Sequence, residues 1–178
     1  MSQLLQDAKA LVQQATKALD KASVAEQVAV FSPFCSTDFA WRGSRPFYEH
    51  SSVASALDSF WAPLKTAFIS FDRREDIFFA GHNDCDGGET VWTCSMGQFV
   101  GLFDEPFLDI PPTRRLSHLR YAEFSQVKDG KIVEQALFID LIGLMLDAGV
   151  NPLPPMTGRY FVYPGPKTHD GILMGEHD

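Results

Sequence analysis

The chain has 178 residues, of which 45% are hydrophobic and 21% are charged, so we expect one globular domain. Its 15 basic and 23 acidic residues give a net charge of −8, which argues against a nucleic-acid partner because phosphate binding needs clustered Lys and Arg. No apolar stretch is long enough to span a membrane. Three cysteines without a CxxC motif favour a reducing, cytoplasmic compartment.

Helical patterns occupy the first third of the chain. Apolar residues at helical spacing predict a first helix over residues 4–19. Ser23 and Glu26 form a capping-box pattern for a second helix. A third helix over residues 51–61 carries its apolar residues on one face and ends or kinks at Pro63.

Strand patterns follow the helices. Long strands are predicted over residues 68–80, 89–100, 114–127 and 131–139, after a short extended segment at 34–41. Lys128-Asp129-Gly130 has the composition of a hairpin turn between the last two strands. A short helix over residues 140–148 comes next. Helices followed by long strands predict an α+β fold, with helices packed on one face of a curved antiparallel sheet.

We expect this domain to cover residues 1–150, with residues 1–22 as a helical extension. The tail over residues 151–178 is rich in Pro and Gly, yet it also carries aromatic and apolar residues. Disordered segments are poorer in such residues, so we expect an ordered tail docked on its own domain or on a partner subunit. In that position His169 could reach a pocket mouth; otherwise it is a surface histidine.

Two stretches carry a resemblance to a known family. The first is Phe60-Trp61-Ala62-Pro63-Leu64, and the second runs from Pro111-Pro112-Thr113-Arg114-Arg115 through Asp129-Gly130-Lys131-Ile132-Val133-Glu134 to Phe138-Ile139-Asp140-Leu141-Ile142-Gly143. Together they resemble the SnoaL-like polyketide cyclase family, also described as ester cyclases, of the nuclear transport factor 2-like superfamily. The resemblance covers roughly residues 23–150.

The resemblance implies a cone-shaped α+β barrel, in which a strongly curved antiparallel sheet encloses an apolar pocket and the N-terminal helices pack on its concave face. It also implies a homodimer formed through the outer face of the sheet. Characterised cyclases close a ring by intramolecular aldol condensation without a cofactor, and the superfamily also contains isomerases, dehydratases, hydrolases and binding modules. Two hypotheses follow: a cofactor-independent enzyme acting on a hydrophobic or polycyclic carbonyl compound, or a noncatalytic dimer that binds a small apolar ligand.

Asp140 allows two interpretations. The resemblance places it at the position of the general acid/base. If no bulge interrupts the strand, Asp140 shares an apolar face with Ile132, Ala136 and Phe138, where a desolvated carboxyl is suited to moving protons. An Asp immediately before a helix is also an ordinary N-cap, and the sequence leaves both interpretations open.

Other polar candidates lie on the two central predicted strands. His118 and Arg120 share one face of their strand, and either could polarise a substrate carbonyl if that face points inward. Glu123 lies on the opposite face, at a position that often lines the pocket in the family. Gln98 stands where relatives commonly carry His; it can donate a hydrogen bond but cannot carry a proton at neutral pH.

Aromatic residues are candidates for the pocket wall or, alternatively, for plain core packing. They are Trp41, Phe60, Trp61, Phe78, Trp92 and Phe138. The segment Gly-His-Asn-Asp-Cys-Asp-Gly-Gly at 81–88 superficially suggests a metal loop, but it lacks the EF-hand spacing, and we interpret it as a polar turn. We expect neither a metal nor a cofactor.

Overall fold

A computed structural model describes residues 3–154 and Gly158, and the predictions for the tail beyond them, His169 included, lie outside the described residues. The elements are α1 (Gln3–Lys21), α2 (Gln27–Phe31), β1 (Cys35–Gly43), β2 (Tyr48–His50), α3 (Val53–Ala56), α4 (Ala62–Ala67), β3 (Phe68–His82), β4 (Val91–Phe103), β5 (Leu116–Lys128), β6 (Lys131–Ile139) and α5 (Leu141–Asp147). No helix among them is long and apolar enough to cross a membrane.

The strands form one curved, open sheet with the order β2-β1-β6-β5-β4-β3. Strands β3 to β6 pair antiparallel, as the meander pattern predicts, whereas β1 pairs in parallel with β6, so the sheet is mixed. In the β5–β6 turn, Asp129 and Gly130 have φ values of 51° and 68°, the left-handed geometry that a tight hairpin needs. The predicted α+β class is confirmed.

The third predicted helix continues past Pro63. A π-helical turn, Leu57–Trp61, joins α3 to α4, and Pro63 follows directly after it at the start of α4. Phe60 and Trp61 are 0% and 1% exposed. The π turn therefore delivers two large rings to the core above the concave face.

Helix α1 packs on β3 and β4 and belongs to the main core. Its buried residues, among them Val12, Ala15 and Leu19, follow the predicted helical spacing. At its end, the Lys65 ammonium group donates a hydrogen bond to the carbonyl oxygen of Ala22 at 2.8 Å. This contact satisfies a carbonyl that the helix terminus leaves unpaired.

Strand register assigns every central side chain to one face of the sheet. Ser95 lies directly opposite Glu123, and Phe99 opposite Leu119, all on the core-facing side. A bulge at the start of β6, between Ile132 and Glu134, interrupts the alternation that the sequence suggested. Ile132 is therefore buried in the core, while Ala136 and Phe138 lie on the outer face beside Phe124.

Candidate functional site

A buried ion-pair cluster occupies the concave side of the sheet. The side chain of Arg73, on β3, is only 4% exposed. Its Nε atom donates to Asp20 of α1 at 3.0 Å, and its Nη1 atom donates to Glu123 of β5 at 2.8 Å. The guanidinium group thus links the helix layer to two strands of the sheet.

Aromatic rings surround the Arg73 guanidinium group. Its central carbon lies 4.9 Å from the ring centroid of Trp61 and 5.0 Å from those of Phe99 and Tyr121. The ring faces stabilise the guanidinium cation through cation–π contacts. The low polarity of the surroundings strengthens its ion pairs. Burial alone would lower the pKa of Arg73, but the Glu123 and Asp20 carboxylates outweigh burial and raise it, so the group stays charged.

A hydrogen-bonded chain of Glu75, Ser95 and Tyr121 lies beside the ion pairs. The Ser95 hydroxyl donates to Glu75 Oε2 at 2.8 Å, and Ser95 Oγ lies 2.9 Å from the Tyr121 hydroxyl. Glu75 is exposed, whereas Ser95 and Tyr121 are 5% and 1% exposed. Burial around the carboxyl group raises the pKa of Glu75, and burial raises the pKa of Tyr121 to about 12. The chain therefore joins the partly buried carboxyl of an exposed residue, with its raised pKa, to a buried phenol that stays protonated.

A β-bulge and a glycine create the space for this cluster. The register of β3 against β4 shifts between Glu75 and Ile77, and Gly97 pairs with Glu75 on one side and Tyr121 on the other. A Cβ atom on Gly97 would lie 2.0 Å from the backbone oxygen of Arg74. Only glycine fits there without moving the backbone.

The predicted pocket-wall aromatics divide into two groups. Trp41, Phe60, Trp61 and Phe78 are at most 1% exposed and form core packing around the cluster. Trp92 and Phe138 lie on the outer face instead, with Phe124, around an open groove of about 430 Å³. Trp92 and Phe138 therefore do not lie on the concave side with the other four rings.

Three of the predicted catalytic residues also lie on the outer face. Gln98 pairs directly with Arg120, and Val100 pairs with His118. Gln98 is buried, His118 is half-buried and Arg120 is exposed. The structure brings these side chains together, but on the side of the sheet opposite Arg73. Of the two faces of β5, the one that carries Glu123 therefore points into the core.

Asp140 is the N-cap of α5. Its Oδ1 atom accepts a hydrogen bond from the Gly143 backbone N–H at 2.8 Å. Its own backbone N–H donates to the carbonyl oxygen of Arg120 at 3.0 Å. The capping interpretation of this residue therefore accounts for its observed contacts.

The loop at 82–90 is organised by one carboxylate. Asp86 accepts hydrogen bonds from the backbone N–H groups of Gly88 and Glu89 at 3.1 and 2.9 Å, and from the side chains of Asn83 and Thr90. The Thr90 hydroxyl, foremost among these donors, lowers the pKa of Asp86. The loop is a polar turn, as the sequence predicts.

Neither the known family models nor the curated protein sequences match this chain. Solved structures do match it. A protein from Jannaschia sp. CCS1 described as a SnoaL-like polyketide cyclase is 18% identical, with a TM-score of 0.63 over 85% of this chain and 98% of the other. AclR from Streptomyces galilaeus, described as a hydroxylase, is 19% identical, with a TM-score of 0.63 over 85% and 86%.

A nuclear transport factor 2-like protein from Burkholderia thailandensis E264 is 17% identical, with a TM-score of 0.55 over 78% of this chain and 95% of the other. The chain has the nuclear transport factor 2-like fold. The Arg73 cluster lies on the concave face of the sheet, and the N-terminal helix α1 packs over this face. The fold that the resemblance implies is thus confirmed.

Four members of the concave cluster were not predicted from the sequence: Asp20, Arg73, Glu75 and Ser95. One signal for two of them was present. Arg73 and Glu75 interrupt an otherwise aromatic strand at spacing i, i+2, which places both side chains on one face. Asp20 and Ser95 gave no such signal, because a polar residue in the last turn of a helix or in a strand is ordinary.

Proposed function

We propose that this protein is a cofactor-independent enzyme of the polyketide cyclase type, which transfers a proton on a hydrophobic carbonyl compound, with Glu75 as the acid/base. The observation that supports this most is the position of Glu75, an exposed residue whose carboxyl group is anchored on a buried hydroxyl pair beside the Tyr121 ring. Its raised pKa brings the carboxyl nearer to the range in which a group both takes and returns a proton.

The proposed chemistry balances without an added reagent. The ionised Glu75 takes a proton from the carbon next to the substrate carbonyl, so the C–H bond breaks, an O–H bond forms, and the electron pair moves to the carbonyl oxygen as an enolate. In an aldol ring closure the enolate carbon attacks a second carbonyl of the same molecule, and Glu75 returns the proton to the new alkoxide. In an isomerisation it returns the proton to another carbon.

The similar structures support the fold and leave the reaction as a proposal. One is described as a polyketide cyclase and another as a hydroxylase, so the same architecture carries different chemistry.

Glu75→Gln should abolish proton transfer, while Asp140→Asn should not. We expect the wild-type protein to accelerate deuterium exchange next to the carbonyl of the bicyclic ketone 2-tetralone, measured by NMR in deuterated water. Loss of a general base costs about 10²–10⁴-fold, so the Glu75→Gln rate should fall by at least about 100-fold. Asn caps a helix about as well as Asp, so Asp140→Asn should stay within a few-fold.

The exchange rate should also rise with pH through the raised pKa of Glu75, because only the ionised carboxyl accepts a proton. The opposite pattern, with activity lost in Asp140→Asn and kept in Glu75→Gln, would return the assignment to Asp140.

The second candidate function is a noncatalytic dimer that binds a small apolar ligand. The helix-capping contact of Asp140 favours it, because a carboxylate held by Gly143 is explained without catalysis. In this case a ligand would bind and change the tryptophan fluorescence, and the wild-type protein would not accelerate the exchange of 2-tetralone.

We propose that both functions use a homodimer formed through the outer sheet face. Alternation along the last strand suggests Val133, Leu137 and Ile139 for that face, but Leu137 is 1% exposed and lies in the core. Instead, Ile69, Leu102 and Leu116 form an adjacent row across β3, β4 and β5, at 48%, 37% and 66% exposure. An exposed apolar row of this kind is typical of an interface.

Light scattering at micromolar concentration should therefore give about twice the chain mass of 19.8 kDa. Leu116→Glu should reduce this value to that of one chain, because it buries a charge in the interface. Leu4→Glu, on an exposed position of α1, is the matched control and should leave the mass unchanged. A wild-type mass near that of one chain would contradict the dimer.

A further inference from the structure

The buried hydroxyl groups behind Glu75 hold only one of its two carboxyl oxygens. Ser95 Oγ contacts Oε2 at 2.8 Å and the Tyr121 hydroxyl at 2.9 Å. The Tyr121 ring stacks on Phe99 with centroids 4.3 Å apart, which fixes the position of its hydroxyl. Both hydroxyl-bearing residues are almost fully buried, so neither is placed to touch a substrate.

We propose that Ser95 and Tyr121 are positioning residues that hold Glu75 through Oε2, so that Oε1 is the oxygen that exchanges the proton with the substrate. This inference rests on the proposed function and deepens it. It assigns a role to two side chains that the sequence did not single out and names the reacting atom.

The direction of the hydrogen bonds follows from the chemistry of the three groups. An ionised carboxylate only accepts, so Ser95 must donate its single hydrogen to Oε2. The Tyr121 hydroxyl, which stays protonated, must then donate to Ser95. Both hydroxyl groups therefore donate in the direction of Glu75. The hydrogen bond from Tyr121 polarises the Ser95 hydroxyl and so strengthens the hydrogen bond from Ser95 to Glu75.

The same arrangement serves both protonation states of Glu75. When the proton sits on Oε1, Oε2 is the carbonyl oxygen of a carboxylic acid and still accepts from Ser95. The chain therefore does not reverse during the proposed reaction. A site that needs no reorganisation at the moment of proton transfer is preorganised in the sense that catalysis requires.

Charged groups on three elements also affect the ionisation of Glu75. Arg73 on the same strand and Lys17 on α1 favour the ionised form, while Glu123 on β5 disfavours it. Arg73 is already shared between Asp20 and Glu123. The Ser95 hydrogen bond is the largest of the influences that favour ionisation.

The test is a carbon-13 NMR titration of the Glu75 carboxyl group in the substrate-free protein, with its signal assigned by Glu75→Gln. Removing a donor to the carboxylate destabilises the ionised form, so we expect the pKa of Glu75 to rise in Ser95→Ala and, by less, in Tyr121→Phe. Tyr121→Phe keeps the ring that stacks on Phe99. Ser125→Ala is the matched control, because Ser125 is a buried serine on the same face that accepts a hydrogen bond from Gln135.

The rate profile gives a second readout. The pH at which 2-tetralone exchange reaches half its maximum should move upward with the pKa in Ser95→Ala, and a charge-assisted hydrogen bond of about 1.4 kcal/mol corresponds to about a tenfold loss of rate at low pH. Ser95→Thr, which keeps the hydroxyl, should restore the wild-type profile.

Unchanged Glu75 titration in both Ser95→Ala and Tyr121→Phe would overturn the positioning role even if Glu75→Gln abolishes exchange. Conversely, a raised pKa in these variants combined with full exchange activity in Glu75→Gln would leave the hydrogen-bond chain intact and refute Glu75 as the acid/base. The two failures are therefore distinguishable.

Discussion

Arg73→Met should lower the free energy of unfolding by about 3–5 kcal/mol, because removing one partner of a buried ion pair leaves the other charge uncompensated. Most of this loss comes from the Glu123 carboxylate, because its side chain is only 4% exposed and Arg73 is its ion-pair partner. Asp20, at 19% exposure, regains water more easily. Denaturant unfolding followed by tryptophan fluorescence measures the change, because Trp61 lies against the guanidinium group.

The neighbouring arginine provides the matched control. Arg74 pairs with Asp76 at 3.2 Å, but its side chain is 55% exposed. The Asp76 side chain is 11% exposed, but the Arg74 end of the pair is in contact with water, so Arg74→Met should lower the unfolding free energy by only about 1 kcal/mol. The double variant Arg73→Met with Glu123→Leu should recover part of the loss, because the almost fully buried Glu123 carboxylate is then no longer left without its partner. Equal effects of Arg73→Met and Arg74→Met would contradict a stabilising buried pair.

Local patterns in the sequence predicted the elements well. Helical spacing located α1, and the Lys128-Asp129-Gly130 turn located the β5–β6 hairpin, with β6 at the predicted residues 131–139. These signals are local, since a helix period or a turn is determined by residues a few positions apart. The strand β2 was missed, because three residues are too few for a period to show.

The orientation of side chains relative to the two sheet faces could not be predicted. Strand β5 carries polar residues on both faces, because Ser117, Glu123 and Ser125 point into a core that contains a polar cluster. Alternation identifies a buried face only when that face is apolar. The bulges on β3 and at the start of β6 add a second obstacle, since each moves the following residues to the other face.

The position of Asp140 shows how a family motif and a local role coincide. The family resemblance implies an acid/base at this position, between the last strand and the following helix. The same position is also the one at which a helix needs a capping acceptor. The structure shows the cap, through the Gly143 N–H. The carboxyl with raised pKa in the concave cluster is Glu75, which comes from another strand. The catalytic role of Asp140 thus depends on the paired Glu75→Gln and Asp140→Asn measurement.

Gly97→Ala should be the most disruptive single-methyl change on the concave face. The added carbon would meet the Arg74 backbone oxygen at 2.0 Å, and a backbone atom cannot rotate away as a side chain can. Overpacking of a buried site costs about 1–3 kcal/mol and more where the backbone must move, so we expect a loss of about 3 kcal/mol. Gly81→Ala is the control, since no heavy atom lies within 4 Å of its added carbon.

The consequence of Gly97→Ala should extend beyond stability. Relief of the clash requires the β3 bulge to shift. That bulge lies between Glu75 and Ile77, next to the pairing of Glu75 with Gly97, and Gly97 pairs on its other side with Tyr121. A shift there lengthens the contact from Ser95 to Glu75, so the exchange of 2-tetralone should fall together with the unfolding free energy. Gly81→Ala should keep both within experimental error of the wild type. If Gly97→Ala lost stability but kept full exchange activity, the bulge would be a packing feature only, and the proton-transfer site would have to lie elsewhere on the concave face.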